Sequence, residues 1–187
     1  RHYRDTSALL DVLTAEYGMI SLVAKGARRM VRGRSSGAIL QPFIPLLISF
    51  SGRSELKTLT GSEVAGQVVT LRGERLYSGL YLNELVLRLL HKNDAHLDLF
   101  VAYGDAIASL GGDKPVDKIL RQFEFILLEQ LGYSFDLGID GHSGGAVNEE
   151  RWYHYHQEFG LVERRSSSSP DNPVFSGRDL LAHRHLS

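Results

Sequence analysis

Tyr17-Gly18-Met19-Ile20-Ser21-Leu22-Val23-Ala24-Lys25-Gly26-Ala27-Arg28-Arg29 decides how this chain is read. Met19 to Ala24 is apolar and partly β-branched, the composition of a buried strand. Gly18 can take a positive φ and so can close a turn in front of that strand. Upstream, Ser7-Ala8-Leu9-Leu10-Asp11-Val12-Leu13-Thr14 is a second apolar run, and the two are expected to pair as a hairpin around Glu16-Tyr17-Gly18. Downstream, the strand runs directly into cations.

The β pattern extends outward from this hairpin. Gly33, Ser35, Ser36 and Gly37 read as a flexible loop. Ile44-Pro45-Leu46-Leu47-Ile48-Ser49-Phe50 reads as a third strand, Ser51-Gly52-Arg53-Ser54 as a turn, and Glu55-Leu56-Lys57-Thr58-Leu59-Thr60 alternates polar and apolar as a fourth. Gln67-Val68-Val69-Thr70-Leu71 is expected to close the set. Short strands with regularly spaced turns point to a small barrel or sandwich, and closure removes the exposed edges that a flat sheet would leave.

Near residue 74 the period changes. Leu76, Tyr77, Leu80, Tyr81, Leu85, Leu89 and Leu90 recur at helical spacing. A second helix runs from Asp98 to Leu110 and ends at Gly111-Gly112. A third starts at Pro115 and stops at Gly132, with Ile119, Phe123, Ile126, Leu127 and Leu131 on its apolar face. Beyond it come a Gly-rich loop, a hairpin around Gly160, a Ser-rich tip and a last helix from Ser176-Gly177-Arg178-Asp179. The expected fold class is α+β, with a β domain over residues 1–72 and an α-helical domain over 73–187. The helical domain carries a small hairpin and loop insertion at about 133–175.

Bulk charge is nearly zero, but its distribution is not even. Residues 1–78 hold 11 Lys and Arg against 6 Asp and Glu, and residues 79–187 hold 10 against 16. From Tyr17 to Ser54 there is no Asp or Glu, while Lys25, Arg28, Arg29, Arg32, Arg34 and Arg53 fall inside that stretch. Clustered cations on a small β domain suit a polyanion, because each neutralised phosphate releases counterions and gives strong, salt-sensitive binding. The absence of cysteine excludes disulfides, thiol nucleophiles and thiolate metal sites. No apolar run approaches the roughly 18–20 residues that cross a bilayer, and the start carries no signal-peptide pattern. A cytoplasmic protein without a membrane partner is expected, and the lack of an initiator Met implies that the natural N-terminus lies upstream.

Other residues invite chemistry. Gly141-His142-Ser143-Gly144-Gly145 matches the G-x-S-x-G nucleophile elbow, for which His183 or His185 would be the base and Asp171 or Asp179 the orienting group. The elbow needs a parallel sheet before it, and the preceding residues read as β barrel and helices. A serine hydrolase using Ser143 therefore stands as the alternative reading. His154-x-His156 and His183-x-His185 could be metal pairs, but two histidines do not make a site, so no metal or cofactor is expected. Arg121 lies close to the apolar face of the third helix. It is suited either to solvent or to the carboxylate of a peptide held in a neighbouring groove.

Taken in order, these residues resemble a known family. Thr14-Ala15-Glu16-Tyr17-Gly18 followed by Leu22-Val23-Ala24-Lys25-Gly26-Ala27-Arg28 resembles the start of the bacterial RecO family. Leu40-Gln41-Pro42-Phe43, Leu76-Tyr77-Ser78-Gly79-Leu80-Tyr81-Leu82-Asn83-Glu84-Leu85, Leu120-Arg121-Gln122-Phe123-Glu124 and Phe175-Ser176-Gly177-Arg178 follow in family order. The resemblance implies an N-terminal OB-fold and a C-terminal helical domain in a non-enzymatic recombination mediator of the RecF pathway. Such a protein binds single- and double-stranded DNA, anneals complementary strands and works with RecR. It helps to load RecA onto DNA coated by single-stranded-DNA-binding protein, and a nucleoid-associated location follows. By motif position, Lys25, Arg28 and Arg29 look like its DNA-binding segment. Arg121 looks like the arginine that takes the acidic C-terminal tail of single-stranded-DNA-binding protein, with Phe123 and Leu127 as pocket wall. The chain departs from the family in two ways. It lacks the four-cysteine zinc module of some relatives, and the family usually continues for some tens of residues, helical and basic, past the point where this chain stops. An RNA-binding OB-fold protein is the remaining alternative.

Overall fold

The fold was obtained as a computed structural model, which describes residues 2–3, 7–27, 30–31, 34–35, 37–133, 136–156, 158–164 and 174–183. The chain forms two compact units, Arg1–Phe123 and Glu124–Ser187. This boundary falls inside the third helix.

In the first unit, β2 (Ser7–Thr14) and β3 (Gly18–Ala24) form the expected hairpin, paired from Ala8↔Ala24 to Thr14↔Gly18. The Thr14 hydroxyl donates to the Gly18 carbonyl at 2.9 Å and accepts the Tyr17 N–H at 3.1 Å, which fixes the turn. Gly18 has φ +62, and a Cβ there would stand 1.8 Å from the Asp94 carbonyl oxygen, so the position admits only glycine. Six of the seven β3 residues are buried because β3 is central. It pairs antiparallel with β2 on one side and parallel with β7 (Leu56–Val64) on the other. A short β1 (His2–Tyr3) adds to β2, and β6 (Leu46–Ser51) to β7, giving the order β1-β2-β3-β7-β6. A separate two-stranded ladder is made by β4 (Met30–Val31) and β5 (Arg34–Ser35).

Two expectations for the strands need correction. Residues 67–71 form no strand: the segment runs as coil into α1 (Gly73–Leu89), with Leu71 buried beside Gly79 and Val69 against Gly111. Among the described residues the sheet is also not closed, since β1 and β6 remain its edges. The class is still the expected α+β, a strand-rich N-terminal region followed by helices.

Helix α1 also buries a different face from the one its leucines suggest. Ser78, Gly79, Leu82 and Val86 are inside, while Tyr77, Leu80, Tyr81 and Leu89 are exposed. Small residues decide the matter. A Cβ on Gly79 would lie 2.7 Å from Leu71 Cδ1 and 3.0 Å from the Phe43 ring, so the helix seats closely only on this side. Helix α2 (Leu97–Leu110) follows, and the Arg75 guanidinium donates to the carbonyls of Leu110 at 3.2 Å and Lys114 at 3.0 Å, satisfying acceptors around its C-terminus. Helix α3 (Val116–Gln130) begins after Pro115 and ends before Gly132, whose φ is +83, as the pattern predicts.

The second unit has a three-stranded antiparallel sheet in the order β10-β8-β9, made of β8 (Trp152–His156), β9 (Gly160–Glu163) and β10 (Val174–Ser176). Gly160, with φ +72, starts β9 as expected for a hairpin. Helix α4 (Gly177–His183) is capped by Ser176, whose oxygen accepts the Asp179 N–H at 3.1 Å and whose hydroxyl donates to the Asp179 carboxylate at 2.6 Å. Leu137, Val147, Tyr153, Leu161 and Leu180 form the core, with Phe125 and Leu181 packed against it.

Candidate nucleic-acid interface

The basic segment starts where β3 ends. Lys25 is exposed at the head of a turn in which Gly26 takes φ +69, and Ala27 is buried beneath it. The Gly37 N–H donates to the Ala27 carbonyl at 2.9 Å, which closes the base of the segment. Between these anchors, the β4–β5 ladder pairs Met30 with Ser35 and Val31 with Arg34. Strand pairing thus occupies part of the stretch read from sequence as a flexible loop. Arg28, Arg29 and Arg32 lie outside the described residues, as does the side chain of Arg34. A hairpin tethered at its base loses less entropy when it binds a polyanion than a free loop would.

Arg53 is exposed but belongs elsewhere. Ser21 pairs with Leu56 and Val23 with Thr58 in the parallel β3–β7 pair. Lys25 therefore lies about 13 Å along the strand direction from the Ser21–Leu56 rung. Arg53 precedes that rung, in the turn where Gly52 has φ +115, and so sits toward the other end. The structure does not gather Arg53 with Lys25. Lys57, which the sequence reading passed over as part of an alternating strand, lies between these ends in register with Leu22.

Arg121 is exposed on α3, whereas Phe123 and Leu127 on the same helix are only 1% and 2% exposed. Phe123 meets the Tyr103 ring edge-on with centroids 6.2 Å apart. Burial pushes the Tyr103 phenol up to about 12, and its hydroxyl donates to Asn83. Phe123 and Leu127 thus serve as core, offering almost no surface of their own to a peptide.

The loop at residues 141–145 is organised around Asp140, which motif reading passed over. This buried carboxylate accepts N–H groups from His142 at 2.8 Å, Ser143 at 3.0 Å and Glu163 at 3.0 Å. Burial works against its charge. The N–H groups of Ser143, His142 and Glu163, with the Ser143 hydroxyl, outweigh that penalty and hold the carboxyl below its ordinary value. The Ser143 oxygen also accepts the Gly145 N–H at 3.2 Å, and a Cβ on Gly141 would stand 1.5 Å from the Phe159 carbonyl oxygen. The glycines serve tight packing in a turn. The sheet of this unit is antiparallel, so the strand-to-helix geometry of a nucleophile elbow is not present here. Asp171 and His185 lie outside the described residues, as does the His183 side chain. His156 Nδ1 accepts the Glu158 N–H at 3.2 Å. Among the described residues, no three His, Asp or Glu side chains gather as metal ligands. No helix there is long and apolar enough to cross a membrane.

The family described as Recombination protein O N terminal matches residues 1–68, and Recombination protein O C terminal matches residues 71–187. The chain is 44% identical over 184 residues to the DNA repair protein RecO of Methylococcus capsulatus, covering 98% of this chain and 74% of that protein. It is 42% identical to the DNA repair protein RecO of an Azoarcus species, over 96% of this chain and 74% of that one. The same-named protein of Haemophilus influenzae is 41% identical over 100% of this chain and 77% of its own length. The chain belongs to the RecO (recombination protein O) family.

Proposed function

We propose that this protein acts in DNA repair as a DNA-binding mediator that brings complementary single strands together. The observation that carries the reading is the acid-free stretch from Tyr17 to Ser54. The stretch presents Lys25 at the surface, and the Gly37–Ala27 hydrogen bond closes the base of the segment that follows it. Two single strands repel each other as polyanions, and a cationic surface that neutralises phosphates on both lowers that repulsion. Such a surface reads charge and leaves sequence to base pairing, which is what annealing requires. No bond chemistry is involved, and the arrangement around Ser143 lends the hydrolase reading no support.

The helical part supplies the partner contacts in this reading. Arg121, exposed on α3, takes the C-terminal carboxylate or an acidic side chain of the tail of single-stranded-DNA-binding protein. Because Phe123 and Leu127 are enclosed, they hold the helix in place and leave the peptide to neighbouring exposed side chains. Contact with RecR and loading of RecA onto coated DNA complete the proposed role, in the cytoplasm on the nucleoid.

The test is a fluorescence-anisotropy titration of single-stranded DNA at increasing salt. Tight binding with a steep, linear loss of log affinity against log salt is expected. Preference for RNA over DNA of the same length would move the assignment to the RNA-binding alternative. Covalent labelling of Ser143 by a fluorophosphonate, lost in Ser143→Ala, would move it to hydrolysis.

A further inference from the structure

The second unit carries a sheet face that its core does not use. β8 alternates Trp152, Tyr153, His154, Tyr155 and His156, so Trp152, His154 and His156 project to one side and Tyr153 and Tyr155 to the other. The Tyr153 side is the core side, where Leu161 joins it. The cross-strand partners complete the opposite face. Val162 and Val174 flank His154, while Arg164 and Ser176 flank Trp152. Trp152 is 57% exposed, His156 and Arg164 are exposed, and His154 is half-buried. Phe159 extends the aromatic run, its ring centroid 5.0 Å from that of His156.

Charge separates the two faces. No register position on the Trp152 side is a carboxylate, whereas Glu163 lies on the Tyr153 side and is bridged by Arg151 at 2.6 Å. Asp179 accepts the Ser176 hydroxyl at the α4 cap, and Glu158 lies in the turn beyond His156. An open indole with an arginine as cross-strand neighbour and two imidazoles in line is a stacking platform with a cation at its rim. Neighbouring rings on one strand face are about 7 Å apart. Bases in a duplex strand rise only about 3.4 Å each. The platform therefore suits bases splayed from one another, as in a single strand, and stacking of that kind tolerates any sequence.

From this we infer that the face formed by Trp152, His154, His156 and Arg164 binds single-stranded DNA by base stacking, as a second strand-binding surface distinct from the basic segment. The inference rests on the DNA-binding function proposed above. A mediator with two separate strand-binding surfaces can hold one strand on each.

Trp152 is the only tryptophan in the chain, so its fluorescence reports on this face alone. The experiment titrates the whole protein with oligothymidylate, following tryptophan emission and the anisotropy of labelled DNA together. Quenching of Trp152 at the DNA concentration that saturates anisotropy is expected. Trp152→Ala should weaken binding about tenfold, the ordinary cost of losing one base stack, and Trp152→Phe should restore most of that loss. Full binding by anisotropy with unchanged emission and unchanged Trp152→Ala affinity would overturn this inference while leaving the proposed function standing. No binding by anisotropy at all would overturn both. Emission that responds to an acidic C-terminal peptide and not to DNA would also overturn it, by assigning the face to a protein partner. Circular dichroism of each variant separates loss of binding from loss of fold, and Trp152 quenching in the parent protein keeps the test decisive if Trp152→Ala does not fold.

Discussion

The Gly37 N–H donates to the Ala27 carbonyl at 2.9 Å and closes the base of the basic segment, just after the exposed Lys25. A Cβ at residue 37 would stand 2.6 Å from the Ala27 oxygen, and both atoms belong to backbone that cannot swing aside. Gly37→Ala is expected to break this tether at a cost of about 1–2 kcal/mol. Single-strand affinity should fall several-fold with the charge count unchanged. Anisotropy at fixed salt beside a urea unfolding curve checks both parts, and unchanged affinity would show that the tether does not matter for binding.

Lys25 and Arg53 sit toward opposite ends of the β3–β7 pair, so they are expected to contact different phosphates. Each alanine substitution should lower the slope of log affinity against log salt by about one. The double variant should lower it by about two, because sites more than about 7–10 Å apart contribute independently. Lys25→Ala with Arg28→Ala should likewise flatten the slope. The salt titration measures all of these, and a slope untouched by Lys25→Ala would remove the segment from the interface.

Arg121→Ala should weaken binding of an acidic C-terminal peptide by about tenfold or more, since a hydrogen bond to a charged group contributes about 1.5–3 kcal/mol. Its DNA salt slope should stay as in the parent, because α3 is assigned to the protein partner. Calorimetry with the peptide and anisotropy with DNA separate these outcomes, and equal peptide affinity in variant and parent would refute the assignment.

Asp140 accepts three backbone N–H groups, and Asp140→Ala leaves them without their acceptor. A loss of about 3 kcal/mol in the stability of the second unit is expected, read from the emission of Trp152 in that unit. The pH dependence has a definite sign. The folded pKa lies below the ordinary 3.8. The stabilisation is therefore fully present above 3.8 and is lost as pH falls through the folded value. Asp140→Asn should flatten the acid limb of the stability curve, whereas Ser143→Ala should leave most of it in place.

Burial also sets an alkaline limit. The Tyr103 phenol is pushed up from 10.0 to about 12, so the folded state favours the neutral form. That stabilisation is complete below 10 and is lost as pH rises toward 12. Tyr103→Phe should cost about 1 kcal/mol near neutrality, through the lost hydrogen bond to Asn83. It should also remove a step near 12 from a spectroscopic tyrosine titration.

The sequence alone determined what depends on neighbours along the chain. The β2–β3 hairpin was legible because Gly18 closes a turn between two apolar runs. The ends of α3 were legible from Pro115 and Gly132, and the α4 cap from Ser176. The cationic stretch needed no coordinates, since charge density along a chain is a property of its order. Family order in the motifs then supplied the role. Contacts between residues distant in sequence were decided only by tertiary structure. Leucine spacing on α1 suggested a face containing Tyr77 and Leu80, yet Gly79 and Ser78 set the close contact, because packing depends on shape as well as hydrophobicity. Residues 67–71 had strand character, but their apolar side chains pack on helices, Leu71 beside Gly79 and Val69 beside Gly111. Parallel register separated Arg53 from Lys25, and burial enclosed Phe123 and Leu127. Asp140 carries no motif at all. Its importance comes from three N–H groups that the fold turns toward one carboxylate, one of them from Glu163 on β9.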